Sequence, residues 1–148
     1  MTTTQEPDPF GAAPAASGPS GPRAGFGARL GATLIDGLIV GGAYVVLSLV
    51  DPVLGILALL AGIAYYVYFE GGPTGQTIGK KALGIRVVDR NTGGPIGYGR
   101  AFLRWVGEIP SSFLLLGYLW MLWDREKQTW HDKIATTLVV PESSYPVG

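Results

Sequence analysis

Two opposite charges stand inside the first hydrophobic stretch of the chain, where a charge is costly. In GARLGATLIDGLIVGGAYVVLSLV, residues 27–50, Arg29 lies near the start and Asp36 lies seven residues later. On an α-helix this spacing is two turns, so the two side chains share a face and Asp36 lies about 10 Å deeper. A carboxylate in the middle of a membrane costs about 2.5–3.5 kcal/mol on insertion scales. The sequence therefore predicts that Asp36 meets a partner from another segment or a water-filled cavity.

A second pair of opposite charges lies in the third hydrophobic segment. Arg104 and Glu108 are four residues apart, so one lies a turn above the other on a helix. They are the candidate partners of the first pair, and one arrangement joins Asp36 to Arg104 and Arg29 to Glu108. We predict a buried polar network that is completed between segments rather than within the first helix.

His131 and Asp132 form a further polar pair near the C-terminus. A serine motif, a metal-ligand set and a recognisable nucleophile are all missing from the sequence around them, which argues against hydrolytic chemistry. The chain has no cysteine, which excludes disulfides, thiol nucleophiles and cysteine metal sites. We expect no enzyme activity, no catalytic residue, no metal and no cofactor. The net charge of zero gives no indication of a nucleic-acid partner.

The glycine-rich stretch GGPTGQTIGKKALG, residues 71–84, has some features of a phosphate-binding loop. A P-loop needs four residues between its glycines, followed by Lys and then Ser or Thr. Here Gly75 and Gly79 are separated by three residues, and Lys81 stands where the hydroxyl belongs. The spacing favours a turn beside the membrane with Lys80 and Lys81 at the lipid headgroups. Specific binding of an anionic lipid or a phosphorylated ligand is the alternative.

Three hydrophobic segments must position these residues. Only 15% of the chain is charged, against about a quarter in soluble domains, and its apolar residues concentrate at about 32–50, 53–69 and 101–123. A helix needs about 20 residues to cross the hydrocarbon layer, which the first segment provides and the second provides narrowly. Asp51-Pro52 alone separates these two, which predicts a tight antiparallel transmembrane hairpin. Aromatic residues close the second and third segments at the expected headgroup level: Tyr65, Tyr66, Tyr68, Phe69, Tyr118, Trp120 and Trp123.

The basic residues predict the orientation, because cytoplasmic loops carry an excess of Lys and Arg. The turn between the first two segments has none, whereas these residues precede the first segment or follow the second: Arg23, Arg29, Lys80, Lys81, Arg86, Arg90 and Arg100. The N-terminal tail and central loop are therefore predicted to be cytoplasmic in a multi-pass protein of the plasma membrane. The third segment is interrupted by Arg104, Glu108 and Pro110, so it either crosses or re-enters. We favour re-entry, which keeps the basic C-terminal region cytoplasmic.

A small sheet is predicted outside the membrane. Residues 85–89 alternate apolar and polar and lead into Asn91-Thr92-Gly93-Gly94, which indicates a cytoplasmic β-hairpin within about 80–100. TTLVV at 136–140 could add a strand if the C-terminus is cytoplasmic. Residues 1–22 are rich in Pro, Gly and Ala and are predicted to be a disordered tail, followed by a membrane domain at 23–141 and a second tail at 142–148. The predicted fold class is an α-helical membrane protein: a two-helix transmembrane hairpin, a third, re-entrant or crossing segment, and this β-hairpin.

Several blocks, in order, resemble the RDD family of small membrane proteins. They are an Arg at the start of the first helix, an Asp inside it, and then GQTIGKKALGIRVVD, GRAFLRW and WDREKQTWHDKIATTLVV. The resemblance covers about residues 25–140 and implies an integral membrane protein with a transport role, since some relatives are proposed to exchange cations for protons. The family is named for one arginine and two aspartates. Arg29 and Asp36 match the first two, and the second aspartate is Asp132 or, as the alternative, Asp124.

Two classes of function follow from the sequence. In the first, the protein exchanges cations for protons with Asp36 as the intramembrane site. Three short segments enclose little volume, so this function requires a homo-oligomer. In the second, the protein is a non-catalytic accessory or assembly subunit of a larger membrane complex, and its small-residue helix faces and buried charges dock on partner helices.

Overall fold

The computed structural model describes residues 20–112 and 116–145, with the backbone alone at 110–112 and 116. The predicted disordered tail lies outside the described residues except at its last three positions, and residues 146–148 of the C-terminal tail also lie outside. The elements in chain order are α1 (Phe26–Val50), α2 (Pro52–Gly71), α3 (Ile78–Ala82), β1 (Ile85–Asp89), α4 (Tyr98–Ser112), α5 (Leu116–Leu119), a 3₁₀ turn (Trp120–Leu122), α6 (Trp130–Ala135) and β2 (Thr137–Pro141).

Helices α1 and α2 form the predicted antiparallel hairpin. Asp51 makes the tight turn possible because its side chain accepts a hydrogen bond from the amide of Val53 at 2.7 Å and caps α2. Small residues of α2 let the two backbones approach: a Cβ on Gly55 would lie 2.7 Å from Cβ of Ser48, and one on Gly62 would lie 2.6 Å from Cγ1 of Val40. The two helices therefore pack closely at these positions.

The hairpin exposes its apolar side chains. Within the described part of the chain, α1 and α2 are the two helices long and apolar enough to cross a bilayer. Of the most apolar 18 residues of each helix, only 6% are buried in α1 and 17% in α2. Leu38 and Leu49 of α1, for example, are 78% and 82% exposed. The core helix of a water-soluble protein would bury such residues, so this exposed surface is suited to an apolar environment.

The sheet differs from the predicted hairpin. Strand β1 pairs antiparallel with β2, with Val87 opposite Val139. The chain does turn after β1, with Gly93 at φ +74°, but residues 94–97 form no strand and α4 begins at Tyr98. The prediction of a local hairpin was therefore wrong. Gly94-Pro95-Ile96-Gly97 is a poor strand because proline has no backbone N–H to donate and the two glycines disfavour an extended strand. The predicted extra strand at 136–140 is the partner of β1.

The third hydrophobic segment contains several short elements and connects two strands of the same sheet. Helix α4 ends at 112, and α5 and the 3₁₀ turn follow from 116, so the described residues form no continuous helix over 101–123. Helix α4 has an apolar outer face formed by Phe102, Leu103, Val106 and Ile109, while Arg104 faces inward. Since β1 precedes the segment and β2 follows it, their pairing brings both ends of the segment together.

A small apolar core joins the sheet to the start of α1. Val87 and Val139 of the sheet pack with Ala24 and Ala32, and with Ala101 of α4. The amide of Ala24 also donates to the carbonyl of Val139 at 2.9 Å. The beginning of α1, the sheet and α4 therefore lie together at the end of the hairpin opposite Asp51.

Candidate functional site

Asp132 is the centre of a buried charge network. It lies at the third position of α6, where its side chain accepts from the amide of Thr129 at 3.0 Å in a capping box. Arg29 Nη1 of α1 lies 2.6 Å from Oδ2, and Arg104 of α4 binds Oδ1. Burial alone would raise the pKa of the fully buried Asp132, but Arg29 and Arg104 hold it well below its usual range. Asp132 is therefore a fixed carboxylate.

Glu70 extends the network to α3. Arg104 Nε donates to Glu70 Oε2 at 3.0 Å, and Lys80 Nζ binds Oε1 at 2.6 Å. The charges alternate from Arg29 through Asp132, Arg104 and Glu70 to Lys80, so each anion has two cations beside it. A buried network of this kind is stabilised by its mutual pairing, and removal of one member leaves an uncompensated charge.

Asp36 is held by hydrogen bonds rather than by a cation. The hydroxyl of Thr77 donates to Oδ2 at 2.6 Å, while the hydroxyl of Tyr65 and the amide of Gly79 donate to Oδ1 at 2.7 and 2.9 Å. A Cβ on Gly79 would lie 2.2 Å from the carbonyl oxygen of Ala32, so glycine is required for this approach. The fully buried Asp36 thereby fastens α3 to α1.

The predicted pairings of the four charged residues were wrong. Arg29 binds Asp132 instead of Glu108, and Arg104 binds Asp132 and Glu70 instead of Asp36. The two-turn separation along α1 explains the difference, because it places Arg29 beside α6 and Asp36 beside α3. Both residues do take their partners from other segments.

Glu108 lies apart from the ion pairs. Its carboxylate accepts a hydrogen bond from the hydroxyl of Tyr118 and has no salt bridge among the described residues. It borders an internal cavity of about 10 Å³ that Arg29, Lys80 and His131 also line. This volume is at the lower limit for one water molecule.

His131 is buried and neutral. Burial, with Arg104 and Arg29 nearby, lowers the pKa of His131 to about 3, although Asp132 opposes the shift. Its Nε2 lies 3.0 Å from Oγ1 of Thr129, and its ring lies against Tyr118 with 5.2 Å between the centroids. Across residues 20–112 and 116–145, no group of three or more His, Cys, Asp or Glu side chains is placed to hold a metal ion.

The two lysines predicted at the headgroups have different environments. Lys80 is bound to Glu70 and its side chain is 12% exposed, so its ammonium group is not available to a lipid. Lys81 is exposed, and its contact with lipid stays a prediction. Of the two candidate aspartates, Asp132 lies in the network with Arg29, whereas Asp124 forms an ion pair with Lys133 outside it.

Three residues of the site escaped the sequence analysis. Glu70 had a detectable signal, because it is an acid directly after an apolar segment and no basic residue lies within a turn of it. Thr77 also had one, since a threonine before a short helical run is a typical N-cap, and its hydroxyl accepts from the amide of Lys80 at 3.2 Å. Tyr65 was interpreted as an interfacial aromatic, and nothing local distinguishes it from its neighbours.

Comparisons with known proteins place this geometry in a wider context. The sequence profile of the RDD family matches residues 23–136. The "Proline-rich antigen homolog" from two strains of Mycobacterium tuberculosis is 38% identical over 98 residues, which is 64% of this chain and 41% of that protein. The "Proline-rich antigen" of Mycobacterium leprae is 38% identical over 88 residues, 57% of this chain and 35% of that protein. The chain thus spans about two fifths of the length of these relatives. No solved structure matches it.

Proposed function

Because the chain belongs to the RDD family, we propose that it is an integral membrane protein whose α1–α2 hairpin crosses the plasma membrane. The observation that carries this proposal is its inverted polarity. The charged residues Arg29, Arg104 and Asp132 are buried, whereas the apolar faces of α1, α2 and α4 are exposed. In water this arrangement would expose a large apolar surface at a cost in free energy. In a bilayer the apolar faces contact lipid and the charged groups stay buried inside the protein.

The proposed topology places the N-terminal region, the segment between α2 and α4 and the C-terminal region on the cytoplasmic side, and the Asp51-Pro52 turn on the outer side. Basic residues at the start of α1 and between α2 and α4 support this orientation. The pairing of β1 with β2 supports re-entry of the intervening segment, because a crossing would separate the two strands by the bilayer. In this arrangement α4 lies with its apolar face against lipid and its polar face on the charge network.

We propose further that the protein is a non-catalytic accessory or assembly subunit rather than an enzyme. The support is the occupancy of its carboxylates: Asp36 accepts from three donors, and Glu70 and Asp132 each bind two cations. These contacts hold α3, α4 and α6 on the hairpin and engage both oxygens of each of the three carboxylates. On the exposed side of α1, Gly37 and Gly41 have no neighbour within 4 Å of an added Cβ among the described atoms, which suits a partner helix.

Affinity purification of the full chain tests the accessory role. The wild-type protein, extracted in mild detergent, is expected to co-purify with a defined larger complex whose members mass spectrometry identifies. The double variant Gly37→Leu/Gly41→Leu should lose that complex, and Gly99→Leu, at an open glycine outside α1, should retain it. Equal recovery with both variants would exclude this helix face as the contact.

Cation/proton exchange is the second candidate, and one observation favours it. Glu108 borders the cavity, forms no ion pair with any described residue and accepts a hydrogen bond from Tyr118, so its carboxyl group is the candidate exchange site. This function can be tested with liposomes that contain the protein and carry an imposed pH gradient. If the protein exchanges cations for protons, adding the cation should collapse the gradient. Glu108→Gln should abolish that collapse while Glu126→Gln, at the surface, preserves it. Liposomes in which wild-type protein leaves the gradient intact would remove exchange from consideration.

A further inference from the structure

A cationic, tryptophan-lined cavity lies at the end of the third hydrophobic segment, away from the charge network. Its volume is about 410 Å³, and Arg90, Arg125, Trp120 and Trp123 line it. We propose that it binds the phosphate of an anionic phospholipid headgroup. This inference rests on the proposed membrane embedding and adds a specific lipid ligand to it.

The charge balance of the cavity favours an anion. The acids on its wall are already engaged, Asp124 by Lys133 and Glu126 by Arg23, the latter pair at 2.5 Å. Arg90 and Arg125 are exposed, and neither guanidinium has a hydrogen bond or an ion pair with any residue that the structure describes. Two such guanidinium groups lining one cavity can both donate hydrogen bonds to the oxygens of a phosphate group.

The tryptophans favour a lipid over a soluble anion. Trp120 and Trp123 are 40% and 64% exposed, and their rings meet edge to face with 5.7 Å between the centroids. Leu122 between them is also exposed. Indole rings of this kind settle at the headgroup level, which places the arginines beside them at the depth of the lipid phosphates.

The exposed side of α4 supports the same depth. Its apolar residues Phe102, Val106 and Ile109 point outward, so α4 offers an apolar surface to lipid acyl chains. In the proposed complex, the acyl chains lie along α4 and the phosphate binds Arg90 and Arg125. A free phosphate would use the arginines and gain nothing from the apolar surface.

Native mass spectrometry of the full chain tests the proposal with phosphatidylglycerol and phosphatidylcholine as probes. We expect wild-type protein to retain phosphatidylglycerol preferentially, and Arg90→Gln/Arg125→Gln to reduce that retention about tenfold. Lys127→Gln removes an exposed positive charge outside the cavity lining and should leave retention within about twofold. Equal retention by Lys127→Gln and by Arg90→Gln/Arg125→Gln would overturn the proposal.

Two further measurements keep the proposal testable even if a variant folds poorly. Acyl-brominated phosphatidylglycerol should quench wild-type tryptophan fluorescence more strongly than brominated phosphatidylcholine. Equal quenching by both lipids would refute the anionic-headgroup site and leave the membrane embedding intact. Absence of quenching by either lipid would refute the membrane embedding itself. Inorganic phosphate should not displace phosphatidylglycerol at millimolar concentration. Displacement would show that the cavity binds a soluble anion and would overturn the proposal of a lipid ligand.

Discussion

Arg29 and Asp132 are 103 positions apart in the chain, yet their side chains form a buried ion pair with 2.6 Å between Nη1 and Oδ2. The pair joins α1 to α6. Arg104 shares the same carboxylate, so three elements meet at one acid. The stability of the whole arrangement therefore depends on Asp132.

Asp132→Asn should destabilise the fold strongly. The amide cannot compensate the two buried arginines, so the free energy of unfolding should fall by about 3–5 kcal/mol. Thermal unfolding in detergent and the amount of folded protein in the membrane measure the loss. Asp124→Asn is the matched control, because it breaks one ion pair, whose partner Lys133 is 44% exposed, and should cost about 1 kcal/mol. Equal effects of the two variants would contradict the central role of Asp132.

Gly79→Ala should detach α3 from α1. The added Cβ meets the carbonyl oxygen of Ala32 at 2.2 Å, and this backbone atom cannot rotate away, so α3 must shift and the amide of residue 79 must leave Asp36. We expect a loss of about 1–3 kcal/mol, as for other overpacked positions. Gly27→Ala, on an open face of α1, should be neutral or slightly stabilising. A melting temperature of Gly79→Ala equal to that of wild type would show that the contact is loose.

Substitutions of Asp36 separate its structural role from a role in exchange. Asp36→Leu strands three donors, and Asp36→Asn keeps one acceptor oxygen, so the leucine variant should accumulate less. Because Asp36 forms no ion pair with any residue that the structure describes, neither change breaks one there. Immunoblots of membrane fractions compare the amounts. Wild-type accumulation of Asp36→Leu would show that this carboxylate is dispensable for folding.

Protonation of His131 should destabilise the protein in mild acid. The pKa of His131 is about 3 in the fold against 6.5 for an exposed histidine, so the unfolded chain binds the proton first as the pH falls. The histidine contribution is intact above about pH 6.5 and is lost as the pH falls toward 3, by about 2 kcal/mol between pH 7.5 and 5. The chain has one histidine, so His131→Gln should flatten this part of the stability profile. An unchanged slope in that variant would refute the assignment.

Single cysteines test the proposed topology, since the chain contains none. An impermeant thiol reagent applied to intact cells should label Val50→Cys at the hairpin turn. Thr92→Cys, after β1, and Ser144→Cys, after β2, should react only in opened cells. Labelling of Ser144→Cys in intact cells would mean that the third segment crosses the membrane.

Local patterns in the sequence determined the α1–α2 hairpin and the face of α1 on which its two charged residues lie. The length of the apolar runs and the Asp51-Pro52 break predict α1 and α2, because helix formation and transfer into lipid depend on consecutive residues. The seven-residue spacing likewise places Arg29 and Asp36 on one face of α1. The resemblance to the RDD family was also readable from short blocks in order, and the match over residues 23–136 confirms it.

Only the tertiary structure decided which groups meet. Strand β1 pairs with a strand about fifty residues later instead of folding back locally, and Arg29 reaches Asp132 rather than Glu108. Periodicity fixes the face on which a side chain lies, but it does not fix which distant element covers that face. That choice depends on the combined packing of α3, α4 and α6, where each buried charge must find donors or counter-ions at once.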